Sequence, residues 1–204
     1  DYYTHATPNG RKVSIMLEEV GLPYAVHVVD IRKGEQFQPE FQTLNLNGKI
    51  PVIVDAEGPD GAPMTVFESG AILIYLAEKT GRFMPSDPRG RSVTLQWLMW
   101  QMAGVGPMFG QCHHYRKFVP EPVPYAEKRY TDETRRLYKV MNQRLSGSPY
   151  LAGNEYSIAD IATFPWVERH EIQGVALEEF PDVARWFEAV AARPAVQRGL
   201  RIPG

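Results

Sequence analysis

The sequence has almost no cysteine. Cys112 is the only one among 204 residues, which excludes an internal disulfide framework, a Cys-x-x-Cys redox pair and a thiolate-rich metal site. Such low cysteine usage suits a reducing compartment, so we predict a cytoplasmic protein that needs no metal. Any thiol chemistry must therefore take its sulfur from a substrate or a cofactor.

Long apolar runs and an excess of one charge are also missing. The longest apolar stretches, such as 72–77, are far too short to span a bilayer. We see no apolar N-terminal segment with a basic start, so we do not expect a secretion signal. The formal net charge is −2, so no global field attracts nucleic acid or an anionic membrane. We expect neither of them as a partner.

The N-terminal part alternates short strands with helices. A first strand ends at 2–3, and further strands are predicted at 24–30, 52–55 and 64–67. Helices follow the turn at 7–10 and the pair at 68–69, and glycines at 21 and 81 end them. The predicted order is β-α-β-(short helix)-β-β-α, a right-handed β-α-β unit followed by a hairpin and a closing helix.

The C-terminal part has only helical patterns. Helices are predicted from 89 to about 115, from 125 to 145, from 158 to about 173, and from 182 to 192. Ser157-Ile158-Ala159-Asp160 is a capping box and indicates a folding signal rather than a site. The polar, proline-containing segment 84–87 predicts a connector between domains at 1–83 and 88–204.

A turn rich in N-cap residues, Thr7-Pro8-Asn9-Gly10, precedes the first helix. Backbone N–H groups and the positive end of the helix dipole converge at such a turn, which suits an anion such as a thiolate. A plain helix N-terminus capped by Asn9 explains the same residues without a ligand.

A proline stands at the entrance of the third strand, in Asn47-Gly48-Lys49-Ile50-Pro51. Cis peptide bonds occur at X-Pro in tight turns, and a cis Ile50–Pro51 bond would free the backbone of Ile50 to pair with an extended peptide. An ordinary trans turn is the alternative, and the residues alone do not decide between them.

The pair Glu68-Ser69 stands where the second long helix begins. Ser69 would bind a carboxylate through its hydroxyl and backbone N–H, and Glu68 would offer its own carboxylate to an ammonium group. Together they would hold the charged groups of a free amino acid. A simple N-cap beside an exposed acid is the alternative.

In this order, and followed by a helical half with a capping box, the three stretches resemble the glutathione transferase superfamily over essentially the whole chain. The likeness is greatest to the nu class, the bacterial glutathione-dependent disulfide-bond oxidoreductases. It extends to 34–37, 95–97, 106–111 with 113–114, and 124–130. The resemblance implies an α/β plus all-α fold, a thioredoxin-like N-terminal domain followed by an all-helical C-terminal domain, and a homodimer.

The resemblance also implies which residues handle glutathione or its disulfide. Thr7 would hydrogen-bond the glutathione sulfur, with Asn9 assisting from the same turn. The implied glutathione-binding residues are Gln36, Lys49, Ile50, Pro51, Glu68, Ser69 and Arg129. Among them Ile50 would pair with the cysteinyl part, and Glu68 with Ser69 would hold the γ-glutamyl end. Arg129 would reach glutathione across a dimer interface.

Other reactive residues are expected to be structural. Tyr2 and Tyr3 invite comparison with transferases that use a strand-end tyrosine, but here the turn has the threonine-asparagine form, which favours packing roles. Cys112 and the neighbouring His113 and His114 point apart on a helix, so neither a thiol-base pair nor a metal site is expected.

Three functions remain open at this point. The first is a disulfide-bond reductase that activates the glutathione thiolate, with transferase or hydroperoxide reductase side activity. The second is a conventional glutathione S-transferase that conjugates hydrophobic electrophiles. The third, a non-catalytic binding module with this fold, is disfavoured because the chain keeps all three stretches. The second substrate, a small disulfide or an electrophile, is not identified by the residues.

Overall fold

A four-stranded sheet with strand order β2-β1-β3-β4 forms the centre of the N-terminal part. β1 is parallel to β2 and antiparallel to β3, and β3 is antiparallel to β4. The element order agrees with the prediction, although β2 is shorter than the predicted 24–30. The elements are β1 Tyr2–Thr4, α1 Pro8–Val20, β2 Val26–Val28, a 3-10 turn Glu35–Phe37, α2 Pro39–Gln42, β3 Val52–Asp55, β4 Met64–Phe67 and α3 Ser69–Thr80.

The computed structural model describes residues 1–204, and they divide into two compact units, 1–82 with 194–204, and 83–193. The last residues thus belong with the first unit and not, as the predicted bounds of 88–204 have it, with the helical one. Their helix α9, Pro194–Gly199, packs on α1: Ser14 Oγ donates to the Gly199 carbonyl at 2.8 Å. A Cβ at Gly199 would lie 2.6 Å from Ile15 Cα, so only glycine permits this approach.

The second unit is helical throughout. Its helices are α4 Pro88–Trp100, α5 Gly106–His113, α6 Pro124–Ser146, α7 Ile158–Val167 and α8 Pro181–Ala191. The predicted helix 89–115 is interrupted by π-helical segments at Gln101–Val105 and His114–Phe118. The first of these precedes Pro107, whose missing N–H breaks the regular hydrogen-bond ladder.

Helix α7 is the core of the second unit. All of its residues are buried, and apart from Asp160 and Thr163, which are hydrogen-bonded internally, they are apolar. The predicted helix 158–173 ends at Val167 instead. The amide of Gln173 folds back and donates to the Trp166 carbonyl at 2.7 Å, so a side chain satisfies this helix end.

Candidate active site

The sheet topology brings the three sequence motifs of the first unit to one edge. Tyr3 pairs with Val52 and Val52 with Phe67, both in antiparallel register. The C-terminal end of β1, the N-terminal end of β3 and the C-terminal end of β4 therefore coincide. The stretches 7–12, 47–52 and 67–71 continue from these three ends, so residues distant in sequence form one site.

Thr7 is the N-cap of α1. Its backbone is extended, and its Oγ1 accepts the Gly10 N–H at 3.1 Å. Its hydroxyl hydrogen has no acceptor within the protein, and the residue is half-buried. The capping role considered for Asn9 is wrong, because Pro8 takes the first helical position and Asn9 lies inside the first turn. This turn contains no acidic residue.

Gly10 lets the turn close tightly. A Cβ there would lie 2.4 Å from the His5 carbonyl oxygen and 2.5 Å from Thr4 Oγ1. The Tyr2 hydroxyl donates to the Gly10 carbonyl at 2.5 Å. Burial raises the pKa of the Tyr2 phenol, so it remains a neutral donor. Tyr2 thus holds the turn that begins α1 through its hydrogen bond to Gly10, in agreement with its expected packing role.

Ile50 offers a backbone edge at the entrance of β3. The Ile50–Pro51 peptide bond is cis, and the N–H and C=O of Ile50 make no hydrogen bond within the chain. Buried Asn45 shapes the loop, since its Nδ2 donates to the Lys49 carbonyl at 2.8 Å. Half-buried Ile50 can therefore pair with an extended ligand backbone.

The 3-10 turn Glu35–Phe37 packs on the same loop. A Cβ at Gly48 would lie 3.1 Å from the Phe37 ring and 3.3 Å from the Gln36 carbonyl oxygen. Gln36 Oε1 is buried without a hydrogen-bond partner in the protein. An acceptor of this kind suits a ligand N–H, because an unpaired buried polar atom is costly. Lys49, on the same loop, is exposed.

Glu68 and Ser69 form the junction between β4 and α3. Glu68 has φ 67° and ψ 116°, a conformation that costs a non-glycine residue about 1–3 kcal/mol and that clusters at ligand sites. Its side chain is exposed, whereas Ser69 at the helix start is only 3% exposed. The strained junction thus presents a carboxylate beside a helix N-terminus.

Lys12 is a residue of this site that the sequence analysis missed. It is 1% exposed, and its Nζ donates to Ser69 Oγ at 3.4 Å. Burial lowers the pKa of Lys12 to about 7, with nearby Glu68 acting in the opposite direction. The available signal was its spacing of four from the buried Met16, which places a lysine on the inner face of α1.

Arg129 lies in the second unit, so its expected role stays a prediction. It is an exposed residue of α6 on an open groove of about 790 Å³. The other groove residues are Met108, Tyr125, Lys128, Tyr130, Asp132, Glu133 and Arg136. The groove therefore combines tyrosines with charges of both signs.

Of the reactive residues expected to be structural, Cys112 and His113 are buried in the second unit, whereas His114 beside them is exposed. Cys112 is fully buried, with Sγ 3.8 Å from the Gln173 carbonyl oxygen. Burial lowers the pKa of His113 to about 4, and its Nε2 accepts from the Gln173 amide at 3.1 Å. No group of three potential metal-ligating side chains occurs, and none of the helices is long and apolar enough to cross a membrane.

Comparison with known proteins identifies the family of this chain. The family models of the glutathione S-transferase N-terminal and C-terminal domains match residues 6–79 and 107–194. Disulfide-bond oxidoreductase YfcG of Escherichia coli is 51% identical over 201 residues, covering 98% of this chain and 94% of that protein. The chain belongs to the glutathione transferase family. The resemblance seen in its sequence is confirmed.

Solved structures support the fold of this transferase. A glutathione transferase from Burkholderia graminis, with two glutathione molecules bound per subunit, has a TM-score of 0.94 and 51% identity and covers 99% of this chain and 87% of that one. One from Pseudomonas putida, with one glutathione disulfide bound per subunit, has a TM-score of 0.93 and 47% identity, with coverages of 100% and 91%. The predicted fold, a thioredoxin-like domain followed by a helical domain, is confirmed.

Proposed function

We propose that this transferase is a glutathione-dependent thiol-disulfide oxidoreductase. One observation carries the proposal: the Thr7 hydroxyl, at the N-terminus of α1, keeps a hydrogen to donate. The sole cysteine is buried in the other unit, so the nucleophilic sulfur comes from glutathione. The name of YfcG and the disulfide-bound Pseudomonas protein support this function.

Glutathione binds along the edge formed by the three motifs. Its cysteinyl backbone pairs with Ile50, and its γ-glutamyl ammonium and carboxylate meet Glu68 and Ser69. Asn9, Gln36, Lys49 and, from the second unit, Arg129 supply further polar contacts. The unpaired backbone of Ile50 and the buried oxygen of Gln36 support this placement.

The site can activate the thiol without an ionisable base. A thiol with a pKa of about 8.5 needs roughly 2.7 kcal/mol of preferential stabilisation of the anion to titrate two units lower. A hydrogen bond to a charged group contributes about 1.5–3 kcal/mol, and a helix N-terminus adds about 0.3–1 kcal/mol. The Thr7 hydroxyl and the dipole of α1 therefore suffice.

The reaction proceeds by two thiolate exchanges. The glutathione thiolate attacks one sulfur of the substrate disulfide, which forms a mixed disulfide and releases the other sulfur as a thiolate. A second glutathione thiolate then attacks the glutathione sulfur of the mixed disulfide, which yields glutathione disulfide and the second product thiolate. Protons lost by the two glutathione thiols balance those gained by the two products. The same thiolate can attack a hydroperoxide or an electrophilic carbon as a side reaction.

The working form is a cytoplasmic homodimer in this proposal. A reducing compartment supplies glutathione and suits a chain with one cysteine. In a two-fold dimer, two equivalent sites form, and Arg129 reaches the glutathione of the partner. Light scattering after gel filtration tests the assembly, and a monomer at micromolar concentration contradicts it.

The deciding experiment compares two initial rates. The first is the reduction of a small mixed disulfide by glutathione, coupled to glutathione reductase and NADPH, and the second is conjugation of an aryl halide. We expect disulfide turnover to exceed conjugation clearly. Dominant conjugation would favour the conventional transferase, whereas failure to bind immobilised glutathione would favour a non-catalytic module.

A further inference from the structure

A buried amine lies against the residue proposed to hold the γ-glutamyl carboxylate. Lys12 and Ser69 are 1% and 3% exposed, and their Nζ and Oγ atoms are 3.4 Å apart. A serine hydroxyl can accept a hydrogen bond from an amine while donating one to a carboxylate. Lys12 is therefore one hydrogen bond removed from the proposed ligand.

This environment opposes a positive charge. Lys12 is enclosed, and the start of α3 at Ser69 presents the positive end of that helix dipole. Both effects disfavour the ammonium form, and burial lowers the pKa of Lys12 to about 7. Both protonation states are therefore populated near neutral pH.

Charged and titratable groups lie on the elements around this amine. From the start of α3, Glu68 favours its protonation. On β1, Tyr2 remains a neutral phenol because burial raises its pKa. On α9, Arg198 pairs with Glu18 at 2.5 Å. The other charged residues of these helices are Arg11 and Glu19 on α1 and Glu78 and Lys79 on α3.

We propose that Lys12 takes up a proton when a ligand carboxylate docks at Ser69, so that carboxylate binding and proton uptake are coupled through this buried amine. The inference rests on the proposed function, which places the γ-glutamyl group here. A carboxylate arriving beside Nζ adds a negative charge in a region with little water, which favours the ammonium form. The neutral amine gains one proton from solvent, and no other bond changes. Lys12 is thus a positioning residue that acts through Ser69.

Calorimetry with a blocked thiol isolates this proton. S-methylglutathione keeps the γ-glutamyl group but has no thiol proton to release, so it separates Lys12 from the chemistry at Thr7. Its binding enthalpy is measured at pH 7.5 in two buffers with different ionisation enthalpies, and the difference gives the protons taken up per site. We expect an uptake of about half a proton or more in the wild-type enzyme. Binding without proton uptake would overturn the inference and leave the proposed function standing.

Two variants assign the proton to its residue. Lys12→Met removes the amine with little change of volume and should abolish the uptake, whereas Lys33→Met, at an exposed lysine, should retain it. Uptake that persists in a folded Lys12→Met protein, checked by circular dichroism, would overturn the inference. If Lys12→Met does not fold, the wild-type uptake is the test. If S-methylglutathione does not bind the wild-type enzyme at all, the proposed function fails together with the inference.

Discussion

Two helices of this chain begin with a hydroxyl N-cap, but the two ends differ in what the hydroxyl can still do. In α7, the Ser157 hydroxyl accepts from the Ala159 N–H at 3.3 Å and donates to Asp160 at 3.0 Å. In α1, the Thr7 hydroxyl accepts from the Gly10 N–H at 3.1 Å and donates to no protein atom. The hydroxyl hydrogen of Ser157 is therefore bound by the protein itself, whereas the hydroxyl hydrogen of Thr7 can be donated to a ligand.

The third helical position explains this difference. In α7 it is Asp160, whose fully buried carboxylate also accepts the Leu151 N–H at 2.9 Å and the Trp186 Nε1–H at 2.8 Å. In α1 it is Gly10, where no Cβ fits. A protein carboxylate thus fills the anion position of α7, whereas the α1 turn leaves its positive end to an external anion. The same N-cap chemistry serves folding in one helix and binding in the other.

The largest effect is expected on stability, from removing the carboxylate of Asp160 at the N-terminus of α7. Asp160→Ala leaves the N–H groups of Leu151, Ser157 and Trp186 without their carboxylate, so the free energy of unfolding should fall by about 3–5 kcal/mol. Urea denaturation measures the loss. Asp132→Ala, at an exposed ion pair with Lys128, is the control and should cost less than about 1 kcal/mol. A loss this small in Asp160→Ala would contradict the structural role.

The second unit, which contains α7, should also lose stability at acidic pH. Because burial holds the pKa of His113 at about 4 in the folded state, the unfolded chain binds the extra proton at a higher pH, near 6.5. The stabilisation is complete above about pH 6.5, and roughly 3 kcal/mol of it is lost as the pH falls to about 4. Urea midpoints between pH 7 and 4 test this, and His113→Asn should flatten the slope. An unchanged slope in the variant would assign the acid sensitivity to other groups.

At the N-terminus of α1, removing the Thr7 hydroxyl should lower the rate of disulfide reduction more than it lowers stability. Thr7→Ala should lower kcat/KM for disulfide reduction by roughly 10–100-fold, since a hydrogen bond to an anion is worth about 1.5–3 kcal/mol. The lost cap should cost only about 1 kcal/mol of stability. Thr7→Ser keeps the hydroxyl and should retain most of the activity. Equal losses in both variants would place the role of Thr7 in packing rather than in its hydroxyl.

The smallest effect is expected on stability, from adding a Cβ at Gly10 in the turn that begins α1. Gly10→Ala introduces a Cβ against two oxygens and should lower the free energy of unfolding by about 1–3 kcal/mol. Gly147 at the end of α6 has no atom near its hypothetical Cβ and a negative φ. Gly147→Ala should therefore be neutral or stabilise by up to about 1 kcal/mol. A Gly10→Ala protein as stable as the wild type would contradict the tight closure of this turn.

The predictable parts of the fold depend on neighbouring residues. Strand and helix order, the capping box at Ser157 and the turn at Thr7 follow from local spacing, and the structure has them all. Helix α9 was missed because six residues show too little periodicity, and its contact with α1 spans most of the chain. The π-helical interruptions of 101–105 and 114–118 were missed for a related reason, since the apolar pattern continues through them.

By itself the sequence determined the family, the order of elements and three short motifs, because each depends on residue types at fixed local spacings. The tertiary structure alone decided that those motifs meet at one sheet edge, since antiparallel pairing aligns the ends of β1, β3 and β4. It also decided that Lys12 is buried against Ser69, a residue from another helix. Burial, and with it the lowered pKa of that amine, arises from long-range packing, which no local pattern encodes.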